Sequence, residues 1–424
     1  MSARILGIAL LAGSLPAGLH AQTREERIAR AAIALEQTVV AQRRDFHQHP
    51  ELSNREVRTS RVIAAKLKAL GFDEIRTGVS GHGIVALLKG GKPGPVAAIR
   101  ADMDALPIQE TLDVPFRSVN PGVQHACGHD VHMAVALGAA ELLAGMRGEI
   151  PGSVKFLFQP AEEGAPEGED SGADRMIREG ALENPRPGVV FALHTKPDMP
   201  AGKIGYIPGA MLASSDSLTI KVIGKKVHAA WPHQGIDPIV VAAECITALQ
   251  TIRSRRIDPV EPVVLTIGSI HGGNRHNIVA EEVELQGTLR THNEQVRERV
   301  ISLIREIVSG VAASHGARAE VRWSARSNPP TINHAAVVEA SLPALRKSLG
   351  AENVVLVPPV MGAEDFAHFL RRIPGMMFWL GVADPAKGAT GALHTPEYEA
   401  DEASLVVGVK AMTTLVLDWL DRAR

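Results

Sequence analysis

Apolar, strand-like runs alternate with helical segments over the first half of the chain, and this alternation restricts the fold more than any other feature. Four runs have the character of strands: GIVALLK, VAAIRAD, SVKFLFQ and VVFALH. The segments HMAVALGAAELLAGM and GADRMIREGAL, which lie between the later runs, have the apolar spacing of helices. Strands that alternate with helices are typical of parallel sheets with helices packed on their faces. The sequence therefore predicts a layered α/β domain with a largely parallel sheet.

The pattern changes near Leu212, where a smaller unit begins. Its order is a strand, a helix, two strands, the long helix EQVRERVISLIREIVSGVAASHG and a last strand ARAEVRW. This β-α-β-β-α-β order is that of a ferredoxin-like unit. Because the chain then returns to α/β elements, we expect an insertion within the larger domain. The predicted division is 22–211 and 326–424 for the larger domain and 212–325 for the inserted one.

The first 21 residues have the composition of a secretion signal. Basic Met1–Arg4 precedes the apolar run Ile5–Leu19, and Ala21 offers a small residue at a cleavage point. The apolar run is shorter than the roughly 20 residues that span a bilayer. We therefore predict a signal peptide over 1–21 and an exported protein, periplasmic if the source is a Gram-negative bacterium, with no membrane attachment after cleavage.

Charge and aromatic content argue against nucleic acid as a partner. The formal net charge is -2 and aromatic residues make up 4% of the chain. A chain of this kind has no strong basic field and few platforms on which bases could stack. We therefore expect no nucleic acid as a partner.

The two cysteines lie in unlike contexts. Cys127 lies between histidines in a glycine-containing turn, whereas Cys245 lies in the apolar helical segment DPIVVAAECITALQTI. A pair of cysteines in an exported protein would often form a disulfide. These contexts favour a reactive or metal-binding thiol and a buried apolar one, so we expect no disulfide.

Side chains that bind metals follow predicted strands or begin predicted helices at four places. In an open α/β sheet, ligands bind where strands end at their carboxyl edge, so segments distant in sequence can meet there. Thiolate, imidazole and carboxylate groups together are the ligands of a zinc-type site. The four segments are QHACGHDVHMA, FLFQPAEEG, VVFALHTKP and GALHTPEY, and the candidates are Cys127, His129, Glu162, Glu163, His194 and His394.

Each segment has a simpler interpretation when it is taken alone. An isolated Cys127 would be a buried cysteine, and a lone His194 after a strand is more often a structural hydrogen-bonding group than a ligand. Glu162 and Glu163 could begin an acidic surface loop. Adjacent carboxylates repel each other, however, so a nearby cation would help to hold them together. The simplest assignment is that one of these two glutamates binds a metal and the other acts as a general base.

Further polar residues are candidates for supporting roles. Asp104 or Asp130 could orient an imidazole, and Glu364 with Asp365 in MGAEDFAHFL could line the site. In the inserted unit, Asn277 and Arg290 could bind a substrate carboxylate or a developing oxyanion. The simpler interpretation of these two is strand-end capping and surface pairing. His228 in GKKVHAAWPHQGIDP is a further candidate there.

Seven ordered motifs resemble the dinuclear-metal amidohydrolase/carboxypeptidase family, which includes hippurate hydrolases, N-acetyl-amino-acid deacylases and plant indole-acetyl-amino-acid hydrolases. The motifs run from about Asp45 to Tyr398 and are FHQHPELSNRE, RADMDALPIQE, HACGHDVHMA, FQPAEEG, HAAWPH, GAEDF and LHTPEY. The resemblance implies two divalent metal ions (Zn, Mn, Co or Ni) and Glu162 as general acid/base. It also implies that the inserted unit is a lid that dimerises, with His228 entering the partner's site. The ligands that it implies are Cys127, His129, Glu163, His194 and His394.

The predicted activity is hydrolysis of an amide bond in N-acyl amino acids or short peptides by a metal-activated water. Lys226-Val227 stands where the family has a glycine pair, and this change in the lid concerns substrate preference rather than metal chemistry. Two other interpretations remain open from the sequence. Cys127 could be a nucleophile with a nearby histidine as base, or the protein could bind an amide or a metal without catalysis.

Overall fold

The computed structural model describes residues 22–384, 386 and 391–424, so the predicted signal peptide lies outside the described residues. The helices are α1 (Arg24–Ala34), α2 (Glu36–Gln48), α3 (Val57–Ala69), α4 (His129–Gly145), α5 (Gly172–Arg178), α6 (Pro238–Thr251), α7 (Glu294–Ser314), α8 (Ala335–Leu349), α9 (Ala367–Leu370) and α10 (Ala403–Arg422). The first eight strands are β1 (Glu74–Val79), β2 (Gly83–Lys89), β3 (Lys92–Asp102), β4 (Pro151–Gln159), β5 (Val189–Pro200), β6 (Ile204–Tyr206), β7 (Gly209–Leu212) and β8 (Ser215–Ile223). The remaining strands are β9 (Val227–His228), β10 (Val263–Gly272), β11 (Ile278–Val279), β12 (Glu282–Thr291), β13 (Arg318–Asn328), β14 (Thr331–Asn333), β15 (Val354–Leu356) and β16 (Gly375–Ala383).

An eight-stranded sheet forms the centre of the larger domain, with strand order β1-β2-β4-β3-β5-β16-β6-β15. The pairs β3/β4, β3/β5, β5/β16 and β6/β15 are parallel. The pairs β1/β2, β2/β4 and β6/β16 are antiparallel. The prediction of an α/β fold with a largely parallel sheet is therefore confirmed. Its parallel centre brings the carboxyl ends of β3, β4 and β5 to the same edge.

Helices α4 and α10 pack together on one face of this sheet. Gly138 of α4 permits the close approach, because a Cβ there would lie 2.6 Å from a Val409 methyl of α10. By length and composition alone, helix α10 could cross a membrane. However, 67% of its most apolar 18-residue stretch is buried inside the molecule. Burial of that extent is what a core helix of a globular domain shows. The packing fixes α4, and with it the chain segment that precedes its first turn.

The inserted unit contains a separate four-stranded antiparallel sheet with order β10-β12-β8-β13. Helices α6 and α7 pack on it through a core of their own, which includes Ile220, Leu249, Leu285, Leu303 and Val308. This order is the one that a β-α-β-β-α-β unit of the ferredoxin type adopts. Strand β13 continues to Asn328, beyond the predicted boundary at residue 325. The domain boundaries, and the role of the unit as a lid, stay predictions.

Candidate metal centre

The turn before α4 places Cys127 and His129 side by side at the start of the helix. Gly128 between them has φ 87°, in the left-handed region that side chains other than glycine rarely adopt. A Cβ at Gly128 would lie 2.4 Å from Thr195 Oγ1 and 2.5 Å from Tyr398 Oη. Both the backbone conformation and the close packing therefore require glycine at this position. The turn directs the side chains of Cys127 and His129 toward the sheet edge.

Three other segments complete the site. Strand β4 ends at Gln159, and Glu162 follows it after Ala161, whose φ of 53° turns the chain back toward the sheet. His194 lies within β5, where it pairs with Trp379 of β16. The apolar run in the sequence ends at His194, but β5 continues beyond it to Pro200. His394 has φ 62° and its N–H donates to the Ala126 carbonyl at 2.8 Å. These turns bring the predicted segments to one edge of the sheet.

Two groups of three potential ligands share the Cys127 sulfur. The first donor group is Cys127, His129 and His194, and the second donor group is Cys127, Glu163 and His394; within each, the ligand atoms lie within 4.8 Å of one another. Cys127 Sγ is 3.4 Å from His194 Nε2 and 3.2 Å from His394 Nε2. Glu163 Oε1 lies 3.2 Å from His394 Nε2. These two groups would supply ligands for two neighbouring cations, with Cys127 common to both groups.

His129 and His194 each use Nδ1 in a hydrogen bond to a backbone carbonyl, which leaves Nε2 as the ligand atom of each ring. His129 Nδ1 donates to the Asp104 carbonyl at 2.8 Å, and His194 Nδ1 donates to the Thr195 carbonyl at 2.9 Å. The fully buried His129 Nε2 has no hydrogen-bond partner among the described residues. A buried ring nitrogen without a partner is costly unless a cation binds it. The residues present therefore fit a pair of divalent metal ions.

The electrostatics of the cluster also favour a cation. Burial and the carboxylates of Glu163 and Glu162 raise the pKa of the Cys127 thiol well above its ordinary value. Burial lowers the pKa of His129, but Asp102 and Asp104 raise it by more, so that its pKa reaches about 10. Excess negative charge thus surrounds these groups, and a bound divalent cation would stabilise the thiolate and carboxylate forms.

Glu162 lies beside further carboxylates rather than in a donor group with Cys127. Its ligand atom lies within 4.8 Å of those of Glu364 and Asp365, and its Oε2 is 3.9 Å from His129 Nε2. Burial, followed by the charges of Glu364 and Glu163, raises the pKa of Glu162 well above its ordinary value. The fully buried Arg100 counters this charge, because its guanidinium donates to Asp102, Glu364 and Asp365. An environment that favours the protonated form suits a group that takes up and releases a proton.

Sequence reasoning missed one hydrogen-bonded chain behind the first donor group. His132 Nδ1 donates to Asp102 Oδ1 at 2.6 Å, and His132 Nε2 accepts the Thr195 N–H at 3.0 Å. Both ring nitrogens are therefore occupied, and His132 is a supporting group rather than a ligand. The sequence signal was present, since His132 lies three residues after His129 on α4 and hence on the same face.

Asp104 and Asp130, the two acids suggested as supporting groups, occupy different places. Asp104 orients His129 through its carbonyl, and its Oδ2 accepts the Glu163 N–H at 3.0 Å. Asp130 instead faces away from the donor groups, where it accepts from His47 Nδ1 at 2.8 Å and pairs with Arg43 Nε at 2.8 Å. It therefore anchors the first turn of α4 to α2.

The three candidates in the inserted unit lie apart from the donor groups. His228 is exposed on β9, and its Nδ1 accepts the Ala230 N–H at 3.1 Å. Asn277 is exposed, with its carbonyl accepting the Ala229 N–H at 3.0 Å. Arg290 is half-buried in β12 and donates to Thr288 Oγ1 at 2.9 Å. Within the part of the chain that the structure describes, no hydrogen bond or ion pair joins these three side chains to the donor groups, and their roles stay predictions.

A cleft of about 390 Å³ opens between the site and the inserted unit. Glu162 and Glu163 line its inner end, and Ser215, Ser327 and Arg326 line the side formed by the inserted unit. The Arg326 guanidinium donates to the Pro166 and Glu169 carbonyls in the loop that follows Glu163. The cleft is polar and large enough to hold an amino-acid-sized molecule against Glu162.

Comparison with known proteins identifies relatives over nearly the whole described chain. The profile of the Peptidase family M20/M25/M40 matches residues 98–418. Thermostable carboxypeptidase 2 of Saccharolobus solfataricus is 38% identical over 92% of this chain and 97% of its own length. N-acyl-L-amino acid amidohydrolase of Geobacillus stearothermophilus is 42% identical over 73% of this chain and 82% of its own. A Bacillus subtilis protein solved as a dinuclear metal binding peptidase from M20 family superimposes with a TM-score of 0.80 at 35% identity, covering 92% of this chain and 99% of that one.

Proposed function

Because the chain belongs to the peptidase family M20/M25/M40, we propose that it hydrolyses the amide bond of N-acyl amino acids or short peptides, with Glu162 as general acid/base. It is a metal-dependent amide-bond hydrolase, and its cofactor is a pair of divalent metal ions. The observation that carries the proposal is the pair of donor groups that share Cys127 Sγ, with Glu162 beside them. Imidazole, thiolate and carboxylate ligands suit Zn, Mn, Co and Ni alike.

The residues of this chain have two separate roles in the reaction, metal binding and proton transfer. Bound metals supply Lewis-acid chemistry, since they polarise the scissile carbonyl and lower the pKa of water toward neutrality. Cys127, His129, His194, Glu163 and His394 hold the cations. The remaining steps belong to Glu162, which accepts a proton from the attacking water and then delivers it to the leaving nitrogen.

Substrate recognition is assigned to the cleft and to the inserted unit. An N-acyl amino acid brings a carboxylate on the leaving side of the amide bond. The proposed partners of this carboxylate are Asn277 and Arg290, which supply an amide and a guanidinium. The names of the relatives, a carboxypeptidase and an N-acyl-L-amino acid amidohydrolase, support a substrate with a free carboxylate.

We further propose that the protein is an exported homodimer, periplasmic in a Gram-negative source. The basic and apolar composition of residues 1–21 supports export. Strand β10 is an edge strand of the inserted sheet and exposes Val264 and Ile270, which supports pairing with a second copy. Dimerisation would allow His228 to enter the partner's site, where it would stabilise the oxyanion.

The test is hydrolysis of a panel of N-acyl amino acids and dipeptides by the purified protein, before and after metal removal. We expect release of the free amino acid, loss of activity after chelation, and recovery when Zn²⁺, Mn²⁺, Co²⁺ or Ni²⁺ is added back. Activity that survives complete metal removal, as shown by elemental analysis, would contradict the proposal.

A mechanism with Cys127 as the nucleophile agrees less well with the structure than the metal-dependent mechanism does. A nucleophilic cysteine needs a depressed thiol pKa and a base that takes its proton. Burial and two carboxylates raise the pKa of Cys127 instead. Chelation separates the two mechanisms, because it would spare a cysteine nucleophile, whereas alkylation of Cys127 would abolish both.

A further inference from the structure

Thr195 joins two of the proposed ligands through its hydroxyl and its backbone. It follows His194 in β5 and is fully buried. The Thr195 hydroxyl donates to the Cys127 carbonyl at 2.9 Å, while the Thr195 carbonyl accepts from His194 Nδ1 at 2.9 Å. One residue thus sets both the position of the Cys127 backbone and the orientation of the His194 ring.

Thr195 is itself held from behind by a buried chain of hydrogen bonds. Its N–H donates to His132 Nε2 at 3.0 Å, and His132 Nδ1 donates to Asp102 Oδ1 at 2.6 Å. Asp102 is fully buried and accepts from the Arg100 guanidinium. Because the other end of this chain is an ion pair at the end of β3, Thr195 cannot shift without disturbing buried charges.

The Thr195 side chain also packs against the backbone between Cys127 and His129. A Cβ on Gly128 would lie 2.4 Å from Thr195 Oγ1 and 2.7 Å from Thr195 Cγ2. The turn that carries these two ligands therefore rests directly on the threonine. Cys127 and the turn before His129 are thus held by the Thr195 side chain, and His194 is held by the Thr195 backbone carbonyl.

We propose that Thr195 is a positioning residue that sets the metal affinity of the centre by fixing Cys127, the ligand that both donor groups share. The inference rests on the ligand roles of the proposed function. The Thr195 hydroxyl donates to the Cys127 carbonyl, whereas the bonds to His132 and His194 are made by the Thr195 backbone. Groups that orient metal ligands contribute about 10- to 100-fold to metal affinity. The loss of the Thr195 hydroxyl should therefore weaken the binding of both cations, because both would use Cys127.

The experiment compares Thr195→Val with Thr195→Ser. The valine variant keeps the shape and the backbone bonds but removes the hydroxyl, whereas the serine variant keeps the hydroxyl and removes only the methyl group. Metal-free protein is titrated with Co²⁺, followed by thiolate-to-cobalt absorption and by elemental analysis after desalting. Wild type and Thr195→Ser should bind two equivalents with similar affinities. Thr195→Val should bind both equivalents about 10- to 100-fold more weakly than wild type.

Two results would overturn the inference. Thr195→Val could bind both equivalents with wild-type affinity, or Thr195→Ser could lose affinity to the same extent as Thr195→Val. If Thr195→Val does not fold, as judged by circular dichroism, Thr195→Ala replaces it, since it also lacks the hydroxyl and cannot clash. The readout is independent of turnover: a wild-type protein that binds two cations and hydrolyses none of the substrate panel would refute the proposed function and leave this inference standing.

Discussion

Glu162 and Glu163 are neighbours in sequence, yet their surroundings in the fold differ. Glu163 Oε1 lies 3.2 Å from His394 Nε2, and its N–H is held by Asp104 Oδ2 at 3.0 Å. Glu162 instead faces the carboxylates of Glu364 and Asp365, which are held by Arg100. The first position suits a ligand and the second a proton carrier, so the two roles proposed for this pair follow from the environment of each side chain.

Glu162→Gln is expected to reduce kcat by about 100- to 10,000-fold, because the amide cannot accept a proton from water. The substitution keeps the size of the side chain, so metal content and KM should remain close to those of the wild type. The measurements are steady-state kinetics on the substrate panel and elemental analysis. Glu167→Gln, an exposed change in the same loop, is the control, and near-normal turnover of Glu162→Gln would remove this residue from its proposed role.

At the scale of single residues, the sequence indicated which segments supply the donors but not how each polar side chain is used. His129 and His132 are indistinguishable by residue type and lie on one face of α4. They differ because β3 and β5 offer His132 a carboxylate and an N–H, at 2.6 Å and 3.0 Å. Those partners, Asp102 and Thr195, are 93 residues apart in sequence and meet His132 only in the tertiary fold, so local patterns carry no information about them.

Arg100 connects three elements at the edge of the main sheet. Its Nε donates to Gln159 Oε1 at the end of β4, and its other nitrogens donate to Asp102 on β3 and to Glu364 and Asp365 just before α9. The side chain is fully buried. A buried cation with three carboxylate partners cannot be removed without leaving buried negative charge uncompensated.

Arg100→Met is therefore expected to lower the free energy of unfolding by about 3–5 kcal/mol, the range seen when one partner of a buried ion pair is removed. Urea unfolding of the metal-free protein measures the effect without a contribution from metal binding. Arg61→Met, at an exposed position of α3, should change the unfolding free energy little. A similarly small change for Arg100→Met would contradict the structural role assigned to this cluster.

Lys155 of β4 gives the protein a pH-dependent stability. Its Nζ donates to the Glu183 carbonyl at 2.6 Å, and burial, together with Arg76, lowers its pKa to about 8. In the unfolded chain the ordinary value is 10.5, so between these two values the unfolded state binds more protons. Stability contributed by Lys155 should then rise with pH across this window.

The corresponding measurement is urea unfolding of the wild type and of Lys155→Met at pH 7.5 and at pH 10. The difference in unfolding free energy, wild type minus variant, should be larger at pH 10. Titrations common to both proteins cancel in that difference. An unchanged or smaller difference at pH 10 would show that Lys155 keeps an ordinary pKa in the folded protein.

At the scale of elements, the sequence predicted the layered sheet because its central strands are apolar and alternate with helices. It did not predict the order of the strands. β3 lies between β4 and β5, and β16, from the last part of the chain, lies beside β5. The three-residue strands β6 and β15 are too short to give a periodic signal. Strand order depends on which surfaces the crossover helices bury, which is a property of the assembled domain.

For the whole molecule, bound metal should act as a stabilising ligand, because the donors come together only in the folded chain. Cys127 and His394 are 267 residues apart in sequence, yet their ligand atoms are 3.2 Å apart. A ligand that binds only the native state at about 1,000 times its Kd contributes about 4 kcal/mol. Chelation should therefore lower the Tm of the wild type in thermal unfolding. A variant with both His194→Ala and His394→Ala should show a much smaller response, and an equal response would locate the stabilising metal elsewhere.

The proposed dimer can be tested by mixing two inactive chains, Glu162→Gln and His228→Ala. If His228 acts in the partner's site, a mixed dimer contains one site with both groups intact, and random exchange should restore about a quarter of the wild-type sites. If His228 acts within its own chain, no mixed site is complete and activity stays at the level of the separate variants. Light scattering on each variant checks that both remain dimers.

The sequence could not place His228, Asn277 and Arg290 relative to the donors, and the single chain leaves them apart. The role proposed for His228 depends on a second copy, so its distance to the site that it would serve is a property of the dimer rather than of one chain. The segments from Cys127 to His394, by contrast, meet within one chain at one sheet edge. The ordered motifs therefore predicted which segments meet within one chain, but not which residues act across two chains.

Both donor groups contain the sulfur of Cys127, so its oxidation would affect both. Oxidation of Cys127 to a sulfinic acid would strip a ligand from both cations in a single chemical event. Occupied cations would in turn hold the thiolate lone pairs and shield them from peroxide. In the exported protein that we propose, resistance to inactivation by peroxide should therefore increase with the supply of metal in its surroundings.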